Sequence, residues 1–191
     1  MTRTPEGFSV LVVDDNPEVL SLLTEYLRDE CDFIDGAKDA PDALEKFKTR
    51  RYDLIITDLN MPQLTGIDLM KSIRALDKLT EFIIITAYAS LDTAIEAVKL
   101  GAFDYIIKPF RLEELKLSVK NAREKILLRK LNMELFSKLE KLYREMERYG
   151  TSGIDPQKKD SIPTSDTEHL VEEIRRLESL KTKIILSPKE G

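Results

Sequence analysis

A doubly wound α/β domain on a five-stranded parallel sheet, followed by a long helical extension, is the fold this sequence predicts. Three observations carry it. Up to residue 110, short runs rich in Val, Ile and Leu alternate with amphipathic stretches. Those runs are continuously apolar, as strands covered by helices on both faces require. Beyond Pro109 the punctuation vanishes: residues 112–149 contain no Gly or Pro and are dominated by strong helix formers.

The elements follow in strict alternation, which is the pattern of a doubly wound sheet. Strong strand candidates are 9–13, 54–57, 82–86 and 104–107, and a weaker one at 32–35 completes the five. The first helix is expected over 17–28, where Val19, Leu20, Leu22, Leu23, Tyr26 and Leu27 recur at helical spacing. Pro17 opens it at a position that helix starts tolerate. Segments 40–50, 66–76 and 91–100 supply the next three helices, and the fifth is the stretch from Leu112 to Tyr149. Residues 150–166 read as a flexible linker by their Gly, Ser, Pro and Asp content. An amphipathic helix is expected over 167–186, with Leu170, Ile174, Leu177 and Leu180 on one face and Asp166 or Thr167 as its cap. The domain boundaries expected are 6–122, 123–149, 150–166 and 167–186.

Length and composition bound the function. A chain of 191 residues holds one well-cored domain plus an appendage and is short for two full domains. No apolar run approaches the ~20 residues that a membrane span needs, and the first residues have no secretory pattern. A lone cysteine, Cys31, cannot form an internal disulfide and reads as a buried structural thiol. A cytoplasmic protein without membrane contact is the expectation. The net charge of −5 is unevenly spread. Residues 1–110 carry 12 basic and 20 acidic side chains, whereas 111–150 carry 11 and 7. The basic excess of the arm is interleaved with acids, so nucleic acid is not an expected partner.

Chemistry gathers at the strand ends. Strand one runs into Asp14-Asp15, strand three into Asp58, strand four into Thr86 and strand five into Lys108-Pro109. In a parallel sheet these ends share one edge, where doubly wound folds place their sites. Taken singly each has a bland reading: a solvated Asp-Asp turn, β-propensity at Thr86, a plain Lys-Pro loop. Their order and spacing favour a site. Three carboxylates at one edge repel unless a cation sits among them, and a hard divalent ion with oxygen ligands, Mg²⁺ or Mn²⁺, suits that donor set. A carboxylate can accept a phosphoryl group covalently, and phosphoryl transfer asks mostly for positioning and charge neutralisation.

Four segments in this order resemble the receiver domain of two-component response regulators: Val12-Val13-Asp14-Asp15-Asn16, residues 57–66 (Thr-Asp-Leu-Asn-Met-Pro-Gln-Leu-Thr-Gly), Ile84-Ile85-Thr86-Ala87-Tyr88, and Asp104-Tyr105-Ile106-Ile107-Lys108-Pro109-Phe110. The variety is similar to receivers of nitrogen-regulator-type activators, and the resemblance covers residues 6–122. It implies a flavodoxin-like fold and a phosphoacceptor at Asp58, charged by a sensor histidine kinase. It implies Mg²⁺ held directly by Asp15, Asp58 and the Asn60 backbone carbonyl, with Asp14 acting through water. Lys108 would pair with a phosphoryl oxygen, next to a cis Lys108–Pro109 bond. Thr86, assisted by the Ala87 N–H, would bind the phosphoryl group, and Tyr105 would rotate inward behind it. Asn60 and Tyr88 would tune hydrolysis.

The second half is not explained by that resemblance. No Gly-x-x-x-x-Gly-Lys-Ser/Thr loop occurs, so an ATPase output is not expected, and no separate enzymatic output is seen. His169, the single histidine, reads as a solvated helix residue. Phe136, Tyr143 and Tyr149 read as packing residues. On the long helix, Leu115, Val119, Ala122 and Ile126 would pack on the domain. Leu128, Leu131, Leu135, Leu139, Leu142, Met146 and Tyr149 would continue as a near-heptad stripe, favouring a homodimeric coiled coil over a hairpin with 170–180. Three readings stand: a regulator acting through a protein partner, which is favoured, a DNA-binding regulator with an unusual or truncated output, and a phosphorelay intermediate.

Overall fold

A computed structural model describes residues 7–151, with side chains to residue 144. Five parallel strands, β1 (Ser9–Val13), β2 (Phe33–Ala37), β3 (Leu54–Asp58), β4 (Glu81–Thr86) and β5 (Asp104–Ile107), form one sheet in the order β2-β1-β3-β4-β5. Helices α1 (Pro17–Tyr26), α2 (Ala40–Thr49), α3 (Gly66–Leu76), α4 (Leu91–Lys99) and α5 (Leu112–Thr151) connect and cover it. The doubly wound fold with its helical extension is therefore as expected.

Each strand sends alternate residues to opposite faces, and each face has its own core. Leu11, Val13, Ile55, Phe82 and Ile84 meet Phe47 of α2 and Leu69, Met70 and Ile73 of α3. Val10, Val12, Leu54, Ile56, Ile83 and Ile85 meet Leu23 of α1 and Leu115, Val119, Ala122 and Ile126 of α5. Those four α5 residues are buried as expected. Burial on both faces is what makes the strands read as continuous apolar runs.

Of the element boundaries that differ from expectation, three have a clear local reason. Helix α1 stops at Tyr26, and Arg28–Glu30 tighten into a 3₁₀ turn. Strand β2 lies at Phe33–Ala37 because pairing with β1 carries Gly36 and Ala37, which have little strand preference of their own, opposite Val12 and Val13. Strand β4 begins at Glu81, a buried carboxylate held by Arg129 and Lys125 of α5.

The pairing of Glu81 belongs to a row. Where α5 passes the amino ends of the strands, its cations meet acids that precede or open them. Lys116 and Lys120 lie 2.8 and 3.8 Å from Glu30, Arg123 lies 3.4 Å from Asp32, and Lys130 lies 2.7 Å from Asp53. Arg129 is 2.8 Å from Glu81 and also donates to the Leu79 carbonyl. The helix thus stays on the domain to Lys130, beyond the last apolar anchor at Ile126.

From Lys138 onward the chain counts as a second unit, described here as helix to Thr151. Gly150 and Thr151, assigned to the linker by composition, continue this helix. Within it Arg144 pairs with Glu140 at 2.7 Å. Phe136 and Tyr143 are exposed instead of packed, and Leu139 is exposed as well. The expected linker from 152, the helix over 167–186 and His169 lie outside the described residues, as do the side chains of Met146 and Tyr149. Among the described residues no helix is long and apolar enough to cross a membrane.

Candidate functional site

The carboxyl edge of the sheet collects the residues that the strand ends promised. Asp14 follows β1 directly, and its N–H donates to the Ala37 carbonyl at 3.2 Å, which anchors it beside the end of β2. One of its oxygens accepts from the Asn16 N–H at 2.9 Å. Asn16 in turn caps α1, accepting from the N–H groups of Glu18 and Val19. Asp58 is the last residue of β3 and only 8% exposed. The Leu59 N–H donates to the Ile85 carbonyl at 2.8 Å, so the chain after β3 leaves the sheet still tied to β4.

Lys108 joins the two acids. Its Nζ lies 2.6 Å from Asp58 Oδ1 and 3.2 Å from Asp14 Oδ2. The other oxygen of Asp58 accepts from the Asn60 N–H at 2.6 Å. Burial alone would lower the Lys108 ammonium, but its bond to Asp58 and the charges of Asp58 and Asp14 outweigh that and hold it above the usual lysine range. Asp14 is raised too, but here burial outweighs its partners. Burial raises its carboxyl above the ordinary range despite the Asn16 N–H and Lys108, and the Asp58 charge adds to the rise. The Lys108–Pro109 bond is cis, as expected.

The loop after Asp58 is shaped by backbone geometry. The Gly66 N–H donates to the Leu59 carbonyl at 2.9 Å, and a Cβ at Gly66 would come within 2.3 Å of the Asp58 carbonyl oxygen. Only glycine permits that approach. Gln63 sits at φ 71°, the one non-glycine residue with positive φ among those described. Thr65 and Asp68 then cap α3 reciprocally.

Beside the acids, Thr86 is fully buried at the end of β4. Its Oγ1 accepts from Asn60 Nδ2 at 3.1 Å and from the Tyr88 N–H at 3.0 Å. Tyr105 lies on the same sheet face as Ile84 and Thr86, and its hydroxyl is 2.9 Å from Thr93 Oγ1 on α4. The ring is thus turned toward α4.

Asp14, Asp58, Lys108, Asn60 and Thr86 are accordingly brought into one bonded cluster. Asp15 is not: it is exposed at the rim and makes none of these contacts. Among the described residues no three His, Cys, Asp or Glu side chains converge as a metal cluster, and Lys108 occupies the position between the two buried acids. The donor chemistry still suits a hard cation: two buried carboxylates share a single ammonium, and Asp15 follows Asp14 directly in the chain. Sequence reasoning missed Thr93, because its hydroxyl signals only the helix cap that it also makes.

Sheet order, helix placement and a buried Asp–Lys pair at the carboxyl edge define a receiver-type α/β domain. The model of the response regulator receiver domain matches residues 10–120, more than half of the chain, and the chain belongs to that family. It is similar to the transcriptional regulatory protein ZraR of Klebsiella oxytoca, 37% identical over 117 residues, covering 61% of this chain and 26% of ZraR. It is also similar to the transcriptional regulatory protein PrrA of Mycobacterium tuberculosis, 38% identical over 121 residues, covering 63% of this chain and 50% of PrrA. The chain thus spans between a quarter and a half of these relatives. Among solved structures, the response regulator TrrA of Thermotoga maritima in complex with Mg²⁺-BeF aligns with a TM-score of 0.54 at 36% identity, covering 60% of this chain and 98% of TrrA. The chemotaxis protein CheY4 of Vibrio cholerae aligns with a TM-score of 0.57 at 31% identity, covering 60% and 98%. The chain is homologous to two-component response regulators, and the family it matches is that of their receiver domain.

Proposed function

We propose that this chain takes a phosphoryl group onto Asp58 from a phosphohistidine of a sensor histidine kinase and passes the signal on through its helical arm. The observation that carries the reading is the Asp58 carboxylate, buried at a strand end with the Lys108 ammonium 2.6 Å away and a second buried acid beside it. A carboxylate oxygen of Asp58 attacks phosphorus, the P–N bond of the donor imidazole breaks, and the leaving imidazole is protonated from solvent. Lys108 is placed to release Asp14 and follow a phosphoryl oxygen, because a lysine is a mobile point charge. Asp14, Asp15, Asp58 and the Asn60 carbonyl would hold Mg²⁺ or Mn²⁺, which when bound offsets charge on the acids and the incoming phosphoryl group. Thr86 gives up Asn60 and the Tyr88 N–H to bind the new oxygens, beside the Ala87 N–H, and Tyr105 follows it inward.

Phosphorylation adds about −1.5 to −2 charges to an edge that is already acidic. The domain responds by shifting between two arrangements instead of deforming gradually. Labelling with radioactive acetyl phosphate, or from a phosphorylated kinase, tests the chemistry. Asp58→Asn should abolish it, and Asp15→Asn should raise the metal concentration required. Strong residual labelling of Asp58→Asn would end the assignment.

The output reading is a homodimer or a protein partner engaged by α5, inside the cytoplasm. Exposure of Leu139 from the near-heptad stripe, and of Phe136 and Tyr143 beside it, supports it, since apolar side chains exposed on a helix gain from being covered. Light scattering on the full chain, with and without phosphate, checks it. A strict monomer in both states at micromolar concentration would rule the coiled coil out.

A further inference from the structure

One hydroxyl on α4 belongs at once to the helix cap and to the tyrosine of β5. Thr93 Oγ1 has four polar neighbours: the Ser90 N–H at 3.2 Å, the Ser90 carbonyl at 3.0 Å, Ser90 Oγ at 2.9 Å and the Tyr105 hydroxyl at 2.9 Å. A hydroxyl has one proton and two lone pairs. The Ser90 carbonyl can only accept, so it takes the proton of Thr93, and the Ser90 N–H can only donate, so it takes one lone pair. The other lone pair is left to the Tyr105 phenol and the Ser90 hydroxyl, both within donating distance. Ser90 Oγ accepts from the Thr93 N–H at 3.1 Å and completes the capping box of α4. Tyr105 is half-buried against the core that includes Ala97 of α4. Its ring is therefore packed on this core while its hydroxyl is tied to α4 through Thr93.

We infer that Thr93 is the positioning residue for Tyr105. Its hydroxyl holds the ring toward α4 in the resting protein, and when the ring turns in behind Thr86 the loss of that bond is registered in the first turn of α4. The inference rests on the proposal that Tyr105 moves when Asp58 is phosphorylated. A ring free of Thr93 would move more readily, so removing the hydroxyl should favour the switched arrangement. A threonine at this point does two jobs, whereas Ser90 caps the helix without touching Tyr105.

The test uses the full chain with Thr93→Val, Thr93→Ser, Ser90→Ala, Tyr105→Phe and the two double variants that combine Tyr105→Phe with Thr93→Val or Ser90→Ala. In the resting protein, the Tyr105 ring resonance from isotope-labelled tyrosine should move in Thr93→Val toward its position with beryllium fluoride and Mg²⁺. In Thr93→Ser it should stay near wild type. Losing one such bond should tighten beryllium fluoride binding by roughly 2- to 10-fold. Tyr105→Phe should give a similar gain, and adding Thr93→Val to it should give no more. Ser90→Ala should combine with Tyr105→Phe additively. An unmoved resonance in Thr93→Val, or coupling of Ser90 to Tyr105 as strong as that of Thr93, would overturn the inference. A wild-type chain that fails to bind beryllium fluoride sinks the Asp58 reading instead, and the resting resonance still decides the role of Thr93.

Discussion

The two edges of the sheet carry similar acids and treat them oppositely. At the amino edge, Glu30, Asp32, Asp53 and Glu81 are each met by cations of α5, and Glu30 and Glu81 have two each. At the carboxyl edge, Asp14 and Asp58 share Lys108, and among the described residues no other cation pairs with them or with Asp15. Charge is balanced where the helix is fastened and left in excess where chemistry is proposed. The strain follows the same division: among the described residues the single left-handed non-glycine residue lies in the loop after Asp58, and Gly66, where that loop ends, is the glycine whose Cβ would come nearest to backbone. Sites of function are where a fold tolerates such costs.

The comparison breaks most visibly if a cation is removed from each edge. Arg129→Met leaves the buried Glu81 with Lys125 only, and should cost about 3 kcal/mol in urea unfolding. Phosphoryl labelling should stay near wild type. Lys108→Met should do the reverse, lowering the labelling rate by at least about 100-fold, as loss of one preorganised charge does, while Asp14 and Asp58 lose their shared partner. If both variants lose stability and labelling in the same proportion, the edges are not functionally distinct.

Gly66→Ala probes the backbone at the acceptor edge. Its Cβ would meet the Asp58 carbonyl at 2.3 Å, so the loop or β3 must shift, at a cost of about 1–3 kcal/mol. Because Asp58 itself is displaced, labelling should slow as well. A variant with wild-type melting and labelling would show that the approach is not needed.

Much of this division was legible in the sequence, and its limits have physical causes. The acids at 14, 15 and 58, Thr86 and Lys108 could be placed on one edge because parallel strands bring their ends together whatever lies between. Leu115, Val119, Ala122 and Ile126 announced their burial by spacing. The amino-edge row was illegible. An ion pair such as Arg129 with Glu81 joins positions 48 residues apart, and a lysine or arginine on a helix looks the same whether solvated or paired. Glu81 even argued against a strand start, since a carboxylate is rarely buried without a partner. Asp15 reads as one of a pair with Asp14 but stands at the rim, because successive residues at a strand end point apart.

A smaller effect sharpens the comparison at Asp14. Burial raises this carboxyl above its unfolded range, so the folded state binds the proton more tightly than the unfolded one. Its contribution to stability is then unfavourable at neutral pH, and this cost is relieved as pH falls through the raised folded value. Asp14→Asn removes the charge and should stabilise the metal-free protein by about 0.5–1 kcal/mol at pH 7. The gain should shrink at pH 4, where the wild-type carboxyl takes up its proton. Urea melts at the two pH values measure this. An equal gain at both would assign the effect to shape and not to charge.

An effect no larger than that at Asp14 is expected at Gln63. At φ 71° a residue with a Cβ occupies the left-handed region, which costs a non-glycine residue about 1–2 kcal/mol. Glycine avoids that cost but loses more chain entropy on folding, by roughly 0.5–1 kcal/mol. Gln63→Gly should therefore gain only about 0.5–1 kcal/mol in urea unfolding. The side chain is exposed and makes no polar contact with Asp58, Lys108 or Thr86, so a change in labelling cannot come from a lost bond. It would have to come from the loop itself: relaxing Gln63 would let residues 60–65 wander and loosen the Asn60 N–H from Asp58. A stabilised variant that labels more slowly would mean the strained turn helps hold the acceptor. A stabilised variant with unchanged labelling would leave the Gly66 contact alone in that role. No gain in stability would show that the left-handed turn is unstrained, and the contrast between the edges would then rest on charge.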